Sequence, residues 1–227
     1  MKASRMKRAA AGGEGRPSAA LDYPIALRLH GQPVLVVGGG RVASGRISPL
    51  VEVGARVRVV AERARGELRA LGESNAIDLH ERRWRPEDCA GMSLVFAATD
   101  SPRVNAEVVR EARSRGLLAN ACDLPELCDF YVPAIGRRGP VTIAVSTAGA
   151  VPGLARTLRD RAMSAIGPEW GRLARILRAL RRALPRDTRA ATLARIIDSP
   201  AASHLASGNR KAAFAAVRAA TATGESR

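Results

Sequence analysis

From residue 33 onward the chain switches between two periodicities. Val34-Leu35-Val36-Val37 is an unbroken apolar run that stops at Gly38-Gly39-Gly40, the pattern of a strand buried on both faces, as in a parallel sheet. Helical spacing then runs from about Arg41 to Val53, Gly54 closes it, and Val57, Val59 and Val60 mark a second short strand. This is one βαβ unit of roughly 30 residues. Ile77–His80, Leu94–Ala98 and Leu117–Ala121 predict three more strands, and Val104, Val108 and Ala112 recur at helical spacing between the last two. Such alternation predicts an α/β domain built on a doubly wound parallel sheet.

After Asp123 the pattern changes. Phe130–Ile135 and Val141–Val145 read as strands joined through Gly136-Arg137-Arg138-Gly139-Pro140, a hairpin. Beyond Pro152 the spacing is helical, with Leu154, Leu158, Ala162 and Ile166 on one face and Leu173, Ile176, Leu177 and Leu180 on another, arginines opposite. Pro168, Pro185 and Pro200 divide this region into short helices. The expected organisation is a basic, aperiodic and disordered tail over residues 1–20, a Rossmann-type domain over 21–129, a hairpin segment over 130–150 and a helical domain over 151–227. Its last residues, rich in Ala, Ser, Thr and Gly, are expected to be only partly ordered. Within the first helix Pro49 removes a backbone donor and presses on the carbonyl of Gly45, which predicts a kink or an early end there.

Charge changes the picture less than its total suggests. The formal charge is +16, of which residues 1–20 hold +4 and residues 151–227 hold +10, leaving +2 for the middle. A solvated arginine face and an anion-binding surface both account for the basic helices. No apolar run reaches the length of a membrane span and no secretory pattern follows the basic start, so the expectation is a cytoplasmic protein without membrane partners. Three cysteines, Cys89, Cys122 and Cys128, argue against a disulfide framework, and neither they nor His30, His80 and His204 have metal-ligand spacing.

Gly38-Gly39-Gly40-Arg41-Val42-Ala43 fits the dinucleotide fingerprint in its Gly-x-Gly-x-x-Ala form. Gly38 permits the tight turn, Gly40 lets backbone approach a pyrophosphate, and Ala43 lets helix and strand sit close, so phosphates meet the positive end of the helix. The competing reading is a glycine-rich turn that binds nothing. Glu62, just past the second strand, is placed to take a ribose hydroxyl and select NAD, or is a surface acid at a helix start; Arg63 and Arg65 beside it suit a phosphate instead. Asp123 follows the fifth strand, at the edge where ligands gather in such sheets; it reads either as a proton acceptor or as a turn former before Leu124-Pro125.

Tyr23-Pro24-Ile25, the glycine loop, Ala97-Ala98-Thr99-Asp100 with Asn105, Asn120-Ala121-Cys122-Asp123, Phe130 with Pro133, and Ala144-Val145-Ser146-Thr147 with Pro152 and Ala155-Arg156 occur in one order and spacing. Over residues 22–185 the chain resembles the precorrin-2 dehydrogenase and sirohydrochlorin ferrochelatase module of siroheme synthases. The resemblance implies NAD held by Gly38, Gly39, Gly40, Arg41, Val42 and Ala43, with Glu62, Arg63 and Thr99 as further contacts. It implies Asp123 as the acid/base residue and a homodimer formed by segments after the Rossmann domain. The implied activity is NAD-dependent oxidation of precorrin-2 to sirohydrochlorin, with Fe2+ insertion as a second activity in bifunctional members. A carboxylate-rich tetrapyrrole suits Arg137, Arg138, Arg156 and Arg159, and the matching motif adds Ser146 and Thr147 as substrate contacts. Two departures stand out: Gly45-Arg46 replaces the basic pair that usually continues the glycine loop, and Ala148–Pro152 lacks a second glycine and a serine before proline. No family signal is found past Pro185, and no methyltransferase domain is expected, so substrate would come from another protein. The alternative is a non-enzymatic NAD-sensing protein whose basic helices meet nucleic acid, against which stands the lack of a recognisable nucleic-acid motif, so no nucleic-acid partner is expected.

Overall fold

The apolar run at 34–37 becomes the central strand of a five-stranded parallel sheet, and its alternate residues feed two separate cores. The computed structural model describes residues 22–222; the tail expected over 1–20 lies outside the described residues. The chain divides between Tyr131 and Val132 into two compact units.

In the first unit the order is β1 (Pro33–Val37), α1 (Arg41–Glu52), β2 (Arg56–Ala61), α2 (Gly66–Glu73), β3 (Asp78–Glu81), β4 (Leu94–Ala97), α3 (Pro102–Ser114) and β5 (Leu118–Ala121). The strands lie in the order β3-β2-β1-β4-β5, all parallel, a Rossmann-type arrangement. Val34, Val36, Val57, Val59, Leu94 and Phe96 face one layer with Ala43, Ile47 and Leu50 of α1 and Leu68 of α2. Leu35, Val37, Val60, Val95 and Ala97 face the other, against Val108, Val109 and Ala112 of α3. Burial on both sides explains why these strands read as continuous apolar runs. The β5 edge is covered by the chain that follows it: the Asp129 amide donates to the Ala119 carbonyl (2.8 Å), and the Ala119 amide donates to the Asp129 carboxylate (3.0 Å).

The early end expected of α1 does not occur. The helix runs through Pro49 to Glu52, and Gly54 (φ 77°) follows its end. Pro49 and Gly45 both lie on the exposed side, opposite buried Ala43, Ile47 and Leu50, so the carbonyl that loses its partner faces water and the ring meets no side chain at residue 45.

The second unit holds β6 (Ala134–Arg138), β7 (Val141–Val145), α4 (Pro152–Ala165), α5 (Pro168–Ala183), α6 (Arg189–Asp198), α7 (Ala201–Ala206) and α8 (Arg210–Ala222). The hairpin turn is shorter than expected. Arg138 pairs with Val141, so only Gly139 (φ 58°) and Pro140 turn, whereas Gly136, Arg137 and Arg138 belong to the strand and Phe130–Pro133 do not. Gly136 is in the strand because α4 crosses it: a Cβ there would strike the Met163 side chain. The last 25 or so residues, expected to be partly ordered, carry the end of α7 and all of α8, whose Leu205, Ala213 and Val217 close a core with Leu173 and Ile196.

Candidate functional site

The carboxyl ends of β1, β4 and β5 stand side by side, since Val37 pairs with Ala97 and Ala97 with Ala121. Sequence order reverses between β1 and β4, which makes this edge the switch point where an open sheet leaves a crevice. Gly38 (φ 127°) makes the turn out of β1, its amide donating to the Val60 carbonyl at 2.9 Å, and a Cβ on it would collide with the Ala98 carbonyl. Gly39 is equally confined: a Cβ would meet the Arg63 carbonyl, and its own carbonyl accepts from the Arg65 amide at 3.1 Å. Gly40 differs from both. It is the extended N-cap of α1, no side chain caps that helix end, and a Cβ on Gly40 would have nothing within 4 Å. Two glycines therefore serve the fold, and the third opens onto free space at the positive end of a helix.

The loop after β4 abuts this turn and is held by Asn105. Its side-chain oxygen accepts from the Thr99 amide (3.0 Å) and hydroxyl (2.7 Å), and its side-chain nitrogen donates to the Thr99 carbonyl (3.0 Å). Asn105 is buried on the otherwise apolar inner face of α3, and a polar residue at an apolar-face position was the signal for it. Past β2, Glu62 is exposed and ion-paired with Arg83 (3.3 Å), while Arg65 pairs with Glu67 (3.3 Å). The Arg63 side chain is exposed and has no ion pair or hydrogen bond among the described residues. Glu81 braces this loop by accepting from the Ala64 amide (3.0 Å) and from Arg69 (2.9 Å); Arg69 first, then that amide, hold its carboxyl below the ordinary value.

Asp123 sits in a turn directly after β5 with φ 65°, exposed, its carboxylate without a hydrogen-bond or ion-pair partner among the described residues. The turn is fastened from behind: Asn120, buried, donates to the Phe130 carbonyl (2.9 Å) and to the Cys128 sulfur (3.3 Å), and Cys128 donates to the Ala121 carbonyl (3.1 Å). The sequence pattern assigns neither Asn120 nor Cys128 this fastening role; a polar residue inside a buried strand again marks the first. All three cysteines are free and buried, and burial pushes the Cys89 thiol up to about 11.

Residues 25–134 match the protein family described as putative NAD(P)-binding. That match covers 110 of the 227 residues, just under half of the chain. The chain is also 44% identical to the siroheme synthase of Methylococcus capsulatus over 162 residues, which are 71% of this chain and 34% of that protein. It is 43% identical to the siroheme synthase of Pseudomonas paraeruginosa over 155 residues (68% and 33%), and 42% identical to that of Methylobacillus flagellatus over 162 residues (71% and 34%). The chain thus spans about a third of the length of the curated relatives it matches. Among solved structures, that of SirC, a precorrin-2 dehydrogenase, shares the fold with a TM-score of 0.72 at 23% identity, over 87% of this chain and 99% of that one.

In the first unit the residues present fit a dinucleotide. The uncapped end of α1 and the space above Gly40 accommodate a pyrophosphate; Ala43, fully buried, brings the helix onto the sheet; Arg41 and Val42 are exposed beside the loop. Glu62 and Arg63 directly follow the carboxyl end of β2, the strand beside β1. The six side chains expected to contact substrate all fall in the second unit and behave differently from one another. Arg138 is already committed: it donates to the carbonyls of Ile166 (3.1 Å) and Met163 (3.3 Å) at the end of α4, a cap that satisfies orphan acceptors. Arg159 pairs with Asp160 (2.8 Å) and reaches the Ile135 carbonyl (3.4 Å). Arg137 lines the same shallow groove of about 420 Å³. The Ser146 hydroxyl accepts from the Ala148 amide (3.1 Å) and the Thr147 hydroxyl from the Val151 amide (3.2 Å), shaping the entry to α4. Arg156 is exposed with no partner among the described residues. No group of three or more metal-ligating side chains occurs among the described residues, and none of their helices is long and apolar enough to cross a membrane.

Proposed function

We propose that this chain oxidises precorrin-2 to sirohydrochlorin with NAD+ as hydride acceptor, in the cytoplasm and as a homodimer. The observation that carries the reading is the pairing, on one sheet edge, of an open glycine turn at a bare helix N-terminus with an exposed, unpartnered carboxylate two strands away, about 10 Å at the usual strand spacing. The similarity to siroheme synthases and the shared fold with a precorrin-2 dehydrogenase support the substrate assignment.

The chemistry asked of the protein is modest. Bound NAD+ supplies the hydride acceptor; the domain's own residues hold and orient it. As a hydride leaves a carbon of the macrocycle, a proton must leave the same substrate, and the Asp123 carboxylate, or a water it orients, takes it. Of the proposed substrate cations, Arg156 is the best suited to a substrate carboxylate, because no protein group competes for it, whereas Arg138 is spent on the fold. Asp123→Asn keeps size and the turn but removes the acceptor. NADH formation from precorrin-2 should fall by about 100-fold or more, the usual worth of a positioned general base, with NAD+ affinity retained. Near-normal turnover by that variant overturns the assignment.

The free carboxylate also favours a second activity. Fe2+ entering sirohydrochlorin displaces two pyrrole N–H protons, and Asp123 can accept them in turn. Anaerobic incubation of purified protein with sirohydrochlorin and Fe2+ decides it by the appearance or absence of siroheme above the uncatalysed rate.

A further inference from the structure

The loop that meets the adenosine ribose carries a charge balance unlike that of a strict NAD site. In a Rossmann domain a carboxylate after the second strand binds the ribose 2′-hydroxyl and repels a 2′-phosphate, while an arginine nearby accommodates that phosphate. Here the carboxylate is present but engaged. Glu62 is ion-paired with Arg83, which projects from just beyond β3, the neighbouring parallel strand, where Ala61 pairs with Glu81. Its negative charge is therefore partly offset where a 2′-phosphate would feel it, across an ion pair whose two side chains are both exposed.

The cation beside it is free. Arg63 is exposed and has no ion pair or hydrogen bond among the described residues, and its carbonyl lies against Gly39, so its backbone is anchored to the glycine turn itself. The Arg65 amide donates to the Gly39 carbonyl, and Glu81 grips the Ala64 amide, which fixes the loop just after Arg63. Arg65 is balanced by Glu67, so the surplus at this corner is the single charge of Arg63. A fixed loop with an ion-paired acid and an unpaired guanidinium suits a phosphate monoester: the planar fork pairs bidentately with its oxygens, and the one repulsive group is partly offset by Arg83.

We propose that this site accepts NADP+ as well as NAD+, with Arg63 binding the 2′-phosphate and Arg83 acting as the specificity-determining residue by holding Glu62. The proposal rests on the dinucleotide reading of the glycine turn and is independent of the tetrapyrrole assignment. Arg83 is among the most exposed ion-paired residues, its side chain 85% accessible, so its removal should leave the fold intact, which thermal unfolding checks.

Isothermal titration of the full chain with NAD+ and with NADP+, without tetrapyrrole, tests it. The expected result is a dissociation constant for NADP+ within about tenfold of that for NAD+, one such factor being about 1.4 kcal/mol. Arg63→Ala should weaken NADP+ about tenfold more than NAD+, and Arg83→Ala, by releasing Glu62, should shift the ratio toward NAD+ by about tenfold. NAD+ binding with NADP+ more than about 100-fold weaker, or a ratio that neither variant moves, overturns the inference and leaves the dinucleotide site standing. Failure of both nucleotides to bind overturns the dinucleotide reading itself.

Discussion

At Gly38 and Gly40 the same amino acid answers two different demands, and substitution separates them. Gly38 has a φ of 127°, open essentially to glycine, and faces the Ala98 carbonyl across the β1–β4 crevice. Gly38→Ala should lose about 1–3 kcal/mol from backbone strain, with more from displacing Ala98, so both thermal stability and NAD+ affinity should fall. Gly40 is extended with empty space before its missing Cβ. Gly40→Ala should leave the unfolding temperature nearly unchanged while NAD+ affinity drops, because the added methyl enters only the space assigned to the pyrophosphate. Unchanged affinity in the Gly40 variant would mean that nothing binds there. The turn at Gly38 was legible in the sequence because the fingerprint encodes backbone conformation directly. Arg138 was not legible: an arginine announces a charge, but whether that charge meets a ligand or the carbonyls of its own fold depends on where α4 ends. Asp123 was read two ways, and its φ of 65° makes it a turn former that is also exposed and unpartnered, so the two readings are compatible.

Elements were recovered where burial was two-sided and blurred where it was not. The runs at 34–37 and 94–97 are fully apolar because helices cover both sheet faces, whereas edge strand β3 is half exposed and begins one residue later than expected. The hairpin turn is shorter than its glycines suggest for a related reason. Glycine in a strand imitates a turn when the helix that requires it, here α4 above Gly136, is distant in sequence. Between β3 and β4 the chain relies on a polar anchor that periodicity cannot reveal. Asp88, 5% exposed, accepts two bonds from Arg82 (2.6 and 2.8 Å) and one from the Arg85 amide (2.8 Å) in a 3-10 turn over Pro86–Cys89. Arg82 above all holds its carboxyl below the ordinary value. A depressed folded pKa contributes stability that is present above the unfolded value, about 3.9, and is lost as pH falls through the folded one. Asp88→Asn should therefore destabilise the domain by about 2 kcal/mol near neutrality, and the gap should narrow as pH drops below about 4. Unfolding measured across that range checks it; a gap independent of pH would assign the loss to packing.

For the whole molecule, the question is how a chain of net charge +16 associates with itself. Most of that surplus lies in residues 151–227, at +10, and like charge opposes any contact between copies. Yet α4 presents Val151 just before it and Leu154 and Leu158 along one side, each between 41% and 50% exposed, a stripe at helical spacing that a solitary helix would bury. Strand β7 alternates so that Thr142 and Ala144 are exposed, small enough to admit a facing element. The homodimer proposed above would use this apolar stripe, with arginine repulsion around it setting the strength. Leu154→Glu with Leu158→Glu should convert dimer to monomer in analytical ultracentrifugation, without lowering the unfolding temperature of the first domain. Raising ionic strength from about 0.05 to 0.5 M shortens the screening length from above 10 Å to below it, so dimerisation of the unmodified protein should tighten with salt. An interface built on ion pairs would loosen instead, and a protein that remains monomeric at tens of micromolar in high salt would leave the stripe without a second copy to cover it.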